Sequence, residues 1–375
     1  MTRAPYRADE VGSLLRPQEL KEARAAHAEG RIGADDLRAV EDRLIRDVVA
    51  KQEAVGLRAV TDGEFRRSWW HFDFLAGLDG VDWVREGKSI QFHGVETKSE
   101  SVAVTGKVGF GDHPMPDHFR YLESVASVTP KITIPAPSVL HFRGGRAAIS
   151  RQVYPDLDAF FADAAEAYRK ALLAFYDAGC RYLQLDDTVW AYLCSEAERE
   201  KARERGDDPD PLPEIYRDMI NHALKDKINH ALKDKPADMT VTTHVCRGNF
   251  RSSWISEGGY EPVAEILLGE TGYDGYLLEY DTDRAGGFEP LRFLPKGDKR
   301  VVLGLITSKT GDLEDRDAVK HRIEEASEFA PIDQFCLSPQ CGFASTEEGN
   351  VLTEDAQWKK LEMIVSIAEE VWGEV

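Results

Sequence analysis

Leu157 to Asp187 reads LDAFFADAAEAYRKALLAFYDAGCRYLQLDD. Apolar residues recur at helical spacing from Leu157 to Ala178, and Gly179 is placed to stop the helix. Arg181-Tyr-Leu-Gln-Leu185 follows as a short strand, and Asp186 and Asp187 end it. This is one helix-then-strand unit, and the rest of the chain repeats the rhythm. A helix over 34–55 precedes a strand at Gly56–Thr61, and Lys131–Pro135 reads as another strand. Met239–Thr243, Gly275–Leu278, Arg300–Leu305 and Gln334–Leu337 continue the series. Helices are expected between them over 212–234, 259–270, 314–329 and 354–372. With a short strand near Ala8–Val11 the count is eight. Regular alternation of this kind gives parallel strands joined by crossover helices, and eight units predict an α/β fold closed as a single (β/α)8 TIM-type barrel over 1–375.

Two segments interrupt the pattern. Residues 79–128 hold alternating runs, Ser89-Ile-Gln-Phe-His93 and Ser101-Val-Ala-Val-Thr105, and are expected to form a β-hairpin insertion. The segment Ile220–Lys227 recurs as Ile228–Lys235, a tandem copy that reads as a solvated helix extension.

Composition narrows the function classes. With 67 acidic against 47 basic residues the formal net charge is -20. Nucleic acid and acidic membrane surfaces require a basic face, so neither is expected as a partner. No apolar run approaches a membrane span and the amino terminus has no leader pattern, so a cytoplasmic protein is expected. Five cysteines, Cys180, Cys194, Cys246, Cys336 and Cys341, do not suit a disulfide framework. Cys180, Cys194 and Cys336 lie in apolar patterns and read as core.

The chemistry lies at the strand ends. In Thr243-His-Val-Cys246 the His and Cys point to one side if the strand continues, and both are zinc ligand types. Taken alone the pair is a weak signal. Glu279 ends the apolar run of Tyr276-Leu-Leu-Glu279, and Cys341 follows the strand in Ser338-Pro-Gln-Cys-Gly342. Singly, Glu279 reads equally as a charged loop residue and Cys341 as a small buried hydrophobe. A barrel brings every strand's carboxyl end to one ring, so His244, Cys246, Glu279 and Cys341 are the candidate metal ligands. Other strand ends offer a grip on an α-amino acid. Gly12 and Ser13 supply donors for its carboxylate, and Glu64 and Asp186 supply acceptors for its ammonium. Helix capping is the competing reading for Asp186-Asp187, and an ion pair with Arg66 or Arg67 for Glu64. The aromatic run Trp69-Trp70-His71-Phe72 reads as packing.

At these residues the sequence resembles the catalytic barrel of cobalamin-independent methionine synthase, above all its short single-barrel bacterial relatives. The carriers are Val11-Gly-Ser13, Asp62-Gly-Glu64, Gln184-Leu-Asp-Asp187, Thr243-His-Val-Cys246, Leu278-Glu-Tyr-Asp281 and Ser338-Pro-Gln-Cys-Gly342. The resemblance implies a Zn2+ site of His244, Cys246, Glu279 and Cys341, with Ser13, Glu64 and Asp186 holding the amino-acid end of homocysteine. Glu64 and Asp186 are thereby the candidate catalytic residues. It also implies methylation of that thiol to methionine from a methyltetrahydrofolate-type donor. Full-length members carry an additional amino-terminal barrel and a histidine after the seventh strand. Here Leu305-Ile-Thr-Ser308 occupies that stretch, with Thr307 at the position. Rival readings are alkyl transfer to another thiol or from a non-folate donor, and a non-catalytic zinc-binding protein. A metal-free decarboxylase on the same barrel would leave the ligand set unused. A carboxylate among the ligands favours an exchangeable site over a closed structural one.

Overall fold

The computed structural model describes residues 3–84, 91–92, 95–96, 100–224 and 236–375. Seven parallel strands form one curled sheet: β1 (Ala59–Val60), β2 (Thr129–Pro135), β3 (Tyr182–Asp186), β4 (Thr240–Val245), β5 (Gly275–Glu279), β6 (Arg300–Ile306) and β7 (Phe335–Pro339). Their order in the sheet follows their order in the chain. Strands β3, β4, β5 and β7 are buried at every position, as parallel strands covered on both faces must be. Leu183, Leu185, Val241, Leu278, Leu303 and Leu337 belong to the continuous core.

Helices cover the outside, and their ends follow local chemistry. The helix Ala34–Val55 stops at Gly56, whose φ of 104° is open to glycine and costly for other residues. Leu157–Asp177 starts where the Asp156 carboxylate accepts from Ala159 N, and Glu354–Trp372 where Thr353 Oγ1 accepts from Ala356 N.

The barrel closes through the amino-terminal segment. Residues 7–9 run parallel to β7 with a single bridge, Ala8 to Leu337. Leu337 N donates to Arg7 O at 2.8 Å and Asp9 N to Leu337 O at 3.0 Å. On the other flank Thr61 Oγ1 donates to Gly12 O at 2.6 Å, and Leu14 N to Gly63 O at 3.1 Å. Interior side chains reach the same segment. Lys131 Nζ pairs with Asp9 Oδ1 at 2.9 Å, Tyr182 OH donates to Asp9 Oδ2 at 2.7 Å, and Gln184 Nε2 donates to Val11 O at 2.7 Å. The strand expected near Ala8–Val11 is thus present as a bridge with lateral ties.

Other elements differ from the sequence reading in detail. The insertion at 79–128 contains a hairpin, but Asp79–Val84 pairs antiparallel with Ser101–Gly109, and a helix follows at Met115–Val125. Inside it, Gln91–Phe92 pairs with Val95–Glu96. The helix expected over 212–234 spans Leu212–Leu224; residues 225–235, with most of the tandem copy, lie outside the described residues. A helix at Gln18–Ala28 went unread because only Leu20 and Ala26 on it are buried, leaving no apolar stripe. Among the described residues no helix is long and apolar enough to cross a membrane.

Glu10 lies beside the Asp9–Lys131 pair, and burial raises its pKa to about 7 against the partial relief given by Lys131. The folded state therefore holds this proton more tightly than the unfolded chain. The associated stability is complete below the ordinary carboxyl pKa of 4.5 and is lost as pH rises through about 7. Glu10→Gln is expected to be stabilising relative to the parent at pH 8, by on the order of 2–3 kcal/mol, and close to neutral at pH 4.5. Melting curves of both proteins across that range check it; a difference independent of pH would contradict the assignment.

Candidate active site and metal centre

The parallel register carries the site residues to one rim. Asp186 on β3 is opposite His244 on β4, and Glu279 on β5 is opposite Gly304 on β6. Cys246 follows His244 by two positions and faces the same way. The ligand atoms of His244, Cys246 and Cys341 lie within 4.8 Å of one another, all buried. The two sulfurs are 3.3 Å apart. His244 Nδ1 is 3.2 Å from Leu277 O, which fixes Nδ1 as the protonated nitrogen. Its Nε2 is buried on the side of Cys341, and although burial lowers the ring's pKa, Cys341, Asp186 and Glu279 outweigh it and raise it.

Two thiols this close share a proton. The hydrogen bond from Cys246 holds Cys341 well below the ordinary thiol range, with His244 and Lys309 adding to the effect against burial. The same contact, together with burial, raises Cys246. The pair is best described as one thiol and one thiolate titrating together. Soft sulfur, a fixed imidazole tautomer and a buried Nε2 suit zinc.

Glu279 stands at the edge of this group, outside the set of atoms that come together. Its Oε2 accepts from Arg247 N at 3.0 Å. Its Oε1 is buried with no hydrogen bond, 3.8 Å from Lys309 Nζ and 3.8 Å from Arg284 Nη2. Its pKa is raised, chiefly by burial and against the pull of Lys309.

Next to the sulfurs opens a cavity lined among others by Ser13, Glu64, Asp186, His244, Cys246 and Cys341. Asp186 Oδ1 accepts from Gln184 Nε2 at 2.7 Å, and burial pushes its pKa up to about 7. Glu64 adopts a left-handed φ of 60°, a strained conformation for a residue with a side chain. Its Oε1 accepts from Thr133 Oγ1 at 2.8 Å, and its Oε2 is buried and unpartnered. Burial raises its pKa too. Two buried carboxylates with raised pKa values are groups that a cation would stabilise in their charged form.

The competing readings divide between neighbours. Asp187, one residue before the N-cap Thr188, turns to the helix start: its Oδ1 accepts from Val189 N at 3.1 Å and from Ser138 Oγ at 2.6 Å, leaving Asp186 to the cavity. Glu64 lies 3.6 Å from Arg67, whereas Arg66 pairs with Glu41 and Asp42. Gly12 does not line the cavity. Its φ is 149°, and a Cβ there would meet Thr133 Cγ2 at 2.6 Å, so glycine lets the segment pass against β2.

The aromatic run is not packing alone. Phe72 is core, but Trp69, Trp70 and His71 line the cavity. The Asp73 carboxylate accepts from Ser68 N and Trp69 N and holds the run in place. Nothing local in the sequence distinguishes a wall from a core when both are aromatic. Thr307 does not line the cavity, and its N–H donates to Glu314. Lys309, two residues on, is the side chain of that loop facing the metal group. The sequence reading missed it, because a lone lysine in a polar loop carries no signal.

A family model described as cobalamin-independent synthase, catalytic domain, matches residues 7–370. The chain belongs to the cobalamin-independent synthase family. That makes it a methyltransferase of the methionine synthase type, as the strand-end motifs implied. It is 52% identical to the uncharacterized protein YxjH of Bacillus subtilis over 371 residues, covering 99% of this chain and 96% of the relative. It is 22% identical over 333 residues to methionine synthase of Sulfolobus acidocaldarius, covering 88% and 84%. Among solved structures, a putative vitamin-B12 independent methionine synthase from Listeria monocytogenes shares 45% identity over the whole of both chains, with a TM-score of 0.79. A B12-independent methionine synthase from Shewanella, 18% identical over 98% of both chains with a TM-score of 0.72, shares the fold.

In this synthase Gly342 lies against the amino-terminal segment. Phe343 N donates to Ser13 O at 2.8 Å, and a Cβ on residue 342 would lie 2.0 Å from Ser13 Oγ. Gly342→Ala is expected to displace Ser13 and raise KM for the thiol substrate roughly tenfold while leaving the metal ligands intact. Steady-state kinetics alongside metal analysis would show this; an unchanged KM would remove Ser13 from the substrate grip.

Proposed function

We propose that this protein is a single-domain zinc-dependent S-methyltransferase that methylates homocysteine to methionine from a methyltetrahydrofolate-type donor. One observation carries the reading: three metal-ligand atoms within 4.8 Å open onto the same cavity as Ser13, Glu64 and Asp186. A sulfur centre and an amino-acid grip thus share one chamber. The family match and the Listeria relative, named a putative methionine synthase, support the product.

His244 Nε2, Cys246 Sγ and Cys341 Sγ would hold the zinc, with Glu279 as the fourth candidate. Zinc so bound supplies a Lewis acid that favours the thiolate form of a substrate thiol, which is otherwise a minority species at neutral pH. The Glu64 and Asp186 carboxylates receive the substrate ammonium, which relieves the burial that raises both their pKa values. Ser13 and the backbone beside it receive the carboxylate. Held by the two charged groups of its amino-acid end, the substrate directs its sulfur toward Cys246 and Cys341. Trp69 and Trp70 wall off water, so the sulfur is less solvated and the reactants are oriented before attack. The sulfur, having given up its proton, then forms its bond to the methyl carbon as the carbon–nitrogen bond of the donor breaks; the nitrogen keeps the electron pair and carries one proton, so it leaves as a neutral amine and the proton count balances.

The test is titration of the cobalt-substituted protein with homocysteine, followed by visible spectroscopy. A thiol-dependent change in the metal bands is expected; its absence for every thiol tried would end the transferase reading and leave a metal-binding protein. Cys246→Ser or Cys341→Ser is expected to lose most bound zinc and activity, and zinc at the parent level in either variant would refute that ligand. Asp186→Asn is expected to raise KM for homocysteine about tenfold or more, through loss of a charge-assisted hydrogen bond, with zinc content unchanged.

A further inference from the structure

Lys309 is buried, 7% exposed, on a loop whose backbone is fixed. Ser308 N donates to Gln340 Oε1 at 2.6 Å, and Asn350 Nδ2 donates to Ser308 O at 2.8 Å. The lysine Nζ makes no hydrogen bond, and neither does Glu279 Oε1, 3.8 Å away. The groups that act most strongly on this ammonium are Glu279, Asp281, Cys246 and Cys341, and Arg284 approaches the first two of them from another side. A buried ammonium without hydrogen bonds is costly, and a chain that keeps one beside a candidate metal centre is using its charge.

We propose that Lys309 is a positioning residue that competes with the metal for Glu279 Oε1, making Glu279 an exchangeable ligand. The inference rests on the zinc reading above. Glu279 is held through Oε2 by the Arg247 N–H, and Oε1 is faced by Lys309 and Arg284, each 3.8 Å away, as well as by any metal held at the sulfurs. Two thiolates and a carboxylate outweigh a divalent cation by one charge, and the ammonium offsets that excess. The lysine charge repels the metal and attracts the carboxylate, so it lowers metal affinity and favours release of Glu279 when another anionic ligand arrives. A substrate thiolate is such a ligand.

The test compares Lys309→Met, which keeps the stem and removes the charge, with Lys309→Arg, which keeps the charge. Zinc affinity is measured by competition with a chromophoric chelator, and the homocysteine-induced change is read in the cobalt-substituted proteins. Lys309→Met is expected to bind zinc about tenfold more tightly and to show a diminished homocysteine response, with Lys309→Arg close to the parent. Unchanged or weaker zinc affinity in a folded Lys309→Met protein would overturn the proposal. If that variant does not fold, Glu279→Gln decides. An edge ligand predicts a loss of affinity far smaller than that of Cys341→Ser; an equal loss overturns it. A parent protein that binds no zinc would defeat the underlying reading, whereas zinc binding indifferent to residue 309 would defeat this inference alone.

Discussion

The site depends on how the barrel is closed. Seven strands supply most of the wall, but the gap between β7 and β1 is filled by a segment that pairs at one residue, Ala8 with Leu337. That bridge would be weak by itself. It is held by ties that radiate across the interior: Lys131 and Tyr182 to Asp9, Gln184 to the Val11 carbonyl, Thr61 to the Gly12 carbonyl. The ordering of a short irregular segment is thus assigned to polar groups buried among apolar strands. Such groups are costly unless satisfied, and satisfied they specify a single arrangement. Closure then carries Ser13 against Gly342, one residue from Cys341, so Ser13 and the sulfur pair line one chamber.

Around that chamber, burial performs two kinds of work. On the carboxylates it raises the cost of charge, and Glu64 and Asp186 stand ready for a cation. On the sulfurs its effect is opposed by neighbours. Cys341 is pulled down by Cys246, His244 and Lys309 although it is as buried as its partner. The two halves of the site are thereby complementary, one set to receive positive charge and the other holding negative charge on sulfur. Glu279 lies between these regimes, bound by a backbone N–H on one oxygen and faced by Lys309 on the other.

The aromatic segment shows the same economy of structure. Asp73 fixes the backbone of Ser68 and Trp69, and Trp69 Nε1 donates to Glu100 at 2.7 Å. Phe72 goes into the core while Trp69 and Trp70 face the cavity. The same aromatic run thus serves the fold on one side and walls the cavity on the other.

The sequence by itself determined the alternation of helices and strands, since period and punctuation are local: Ala34–Val55 and Glu354–Trp372 match their expected bounds residue for residue. It determined that His244 and Cys246 would come together as well, because a strand followed by His-x-Cys places both on one face. What only the tertiary structure decided is relational. Whether Asp186 or Asp187 enters the cavity depends on which one meets the helix start at Val189. Whether the aromatic run is core or wall depends on what lies across from it. Glu279 was legible as a strand-end acid, but its place at the edge of the sulfur pair is set by Arg247 and Lys309, contacts 32 and 30 residues away in sequence. Pattern reports what a residue's own element requires; the charge and distance that make a site reactive come from neighbours the chain meets only on closing.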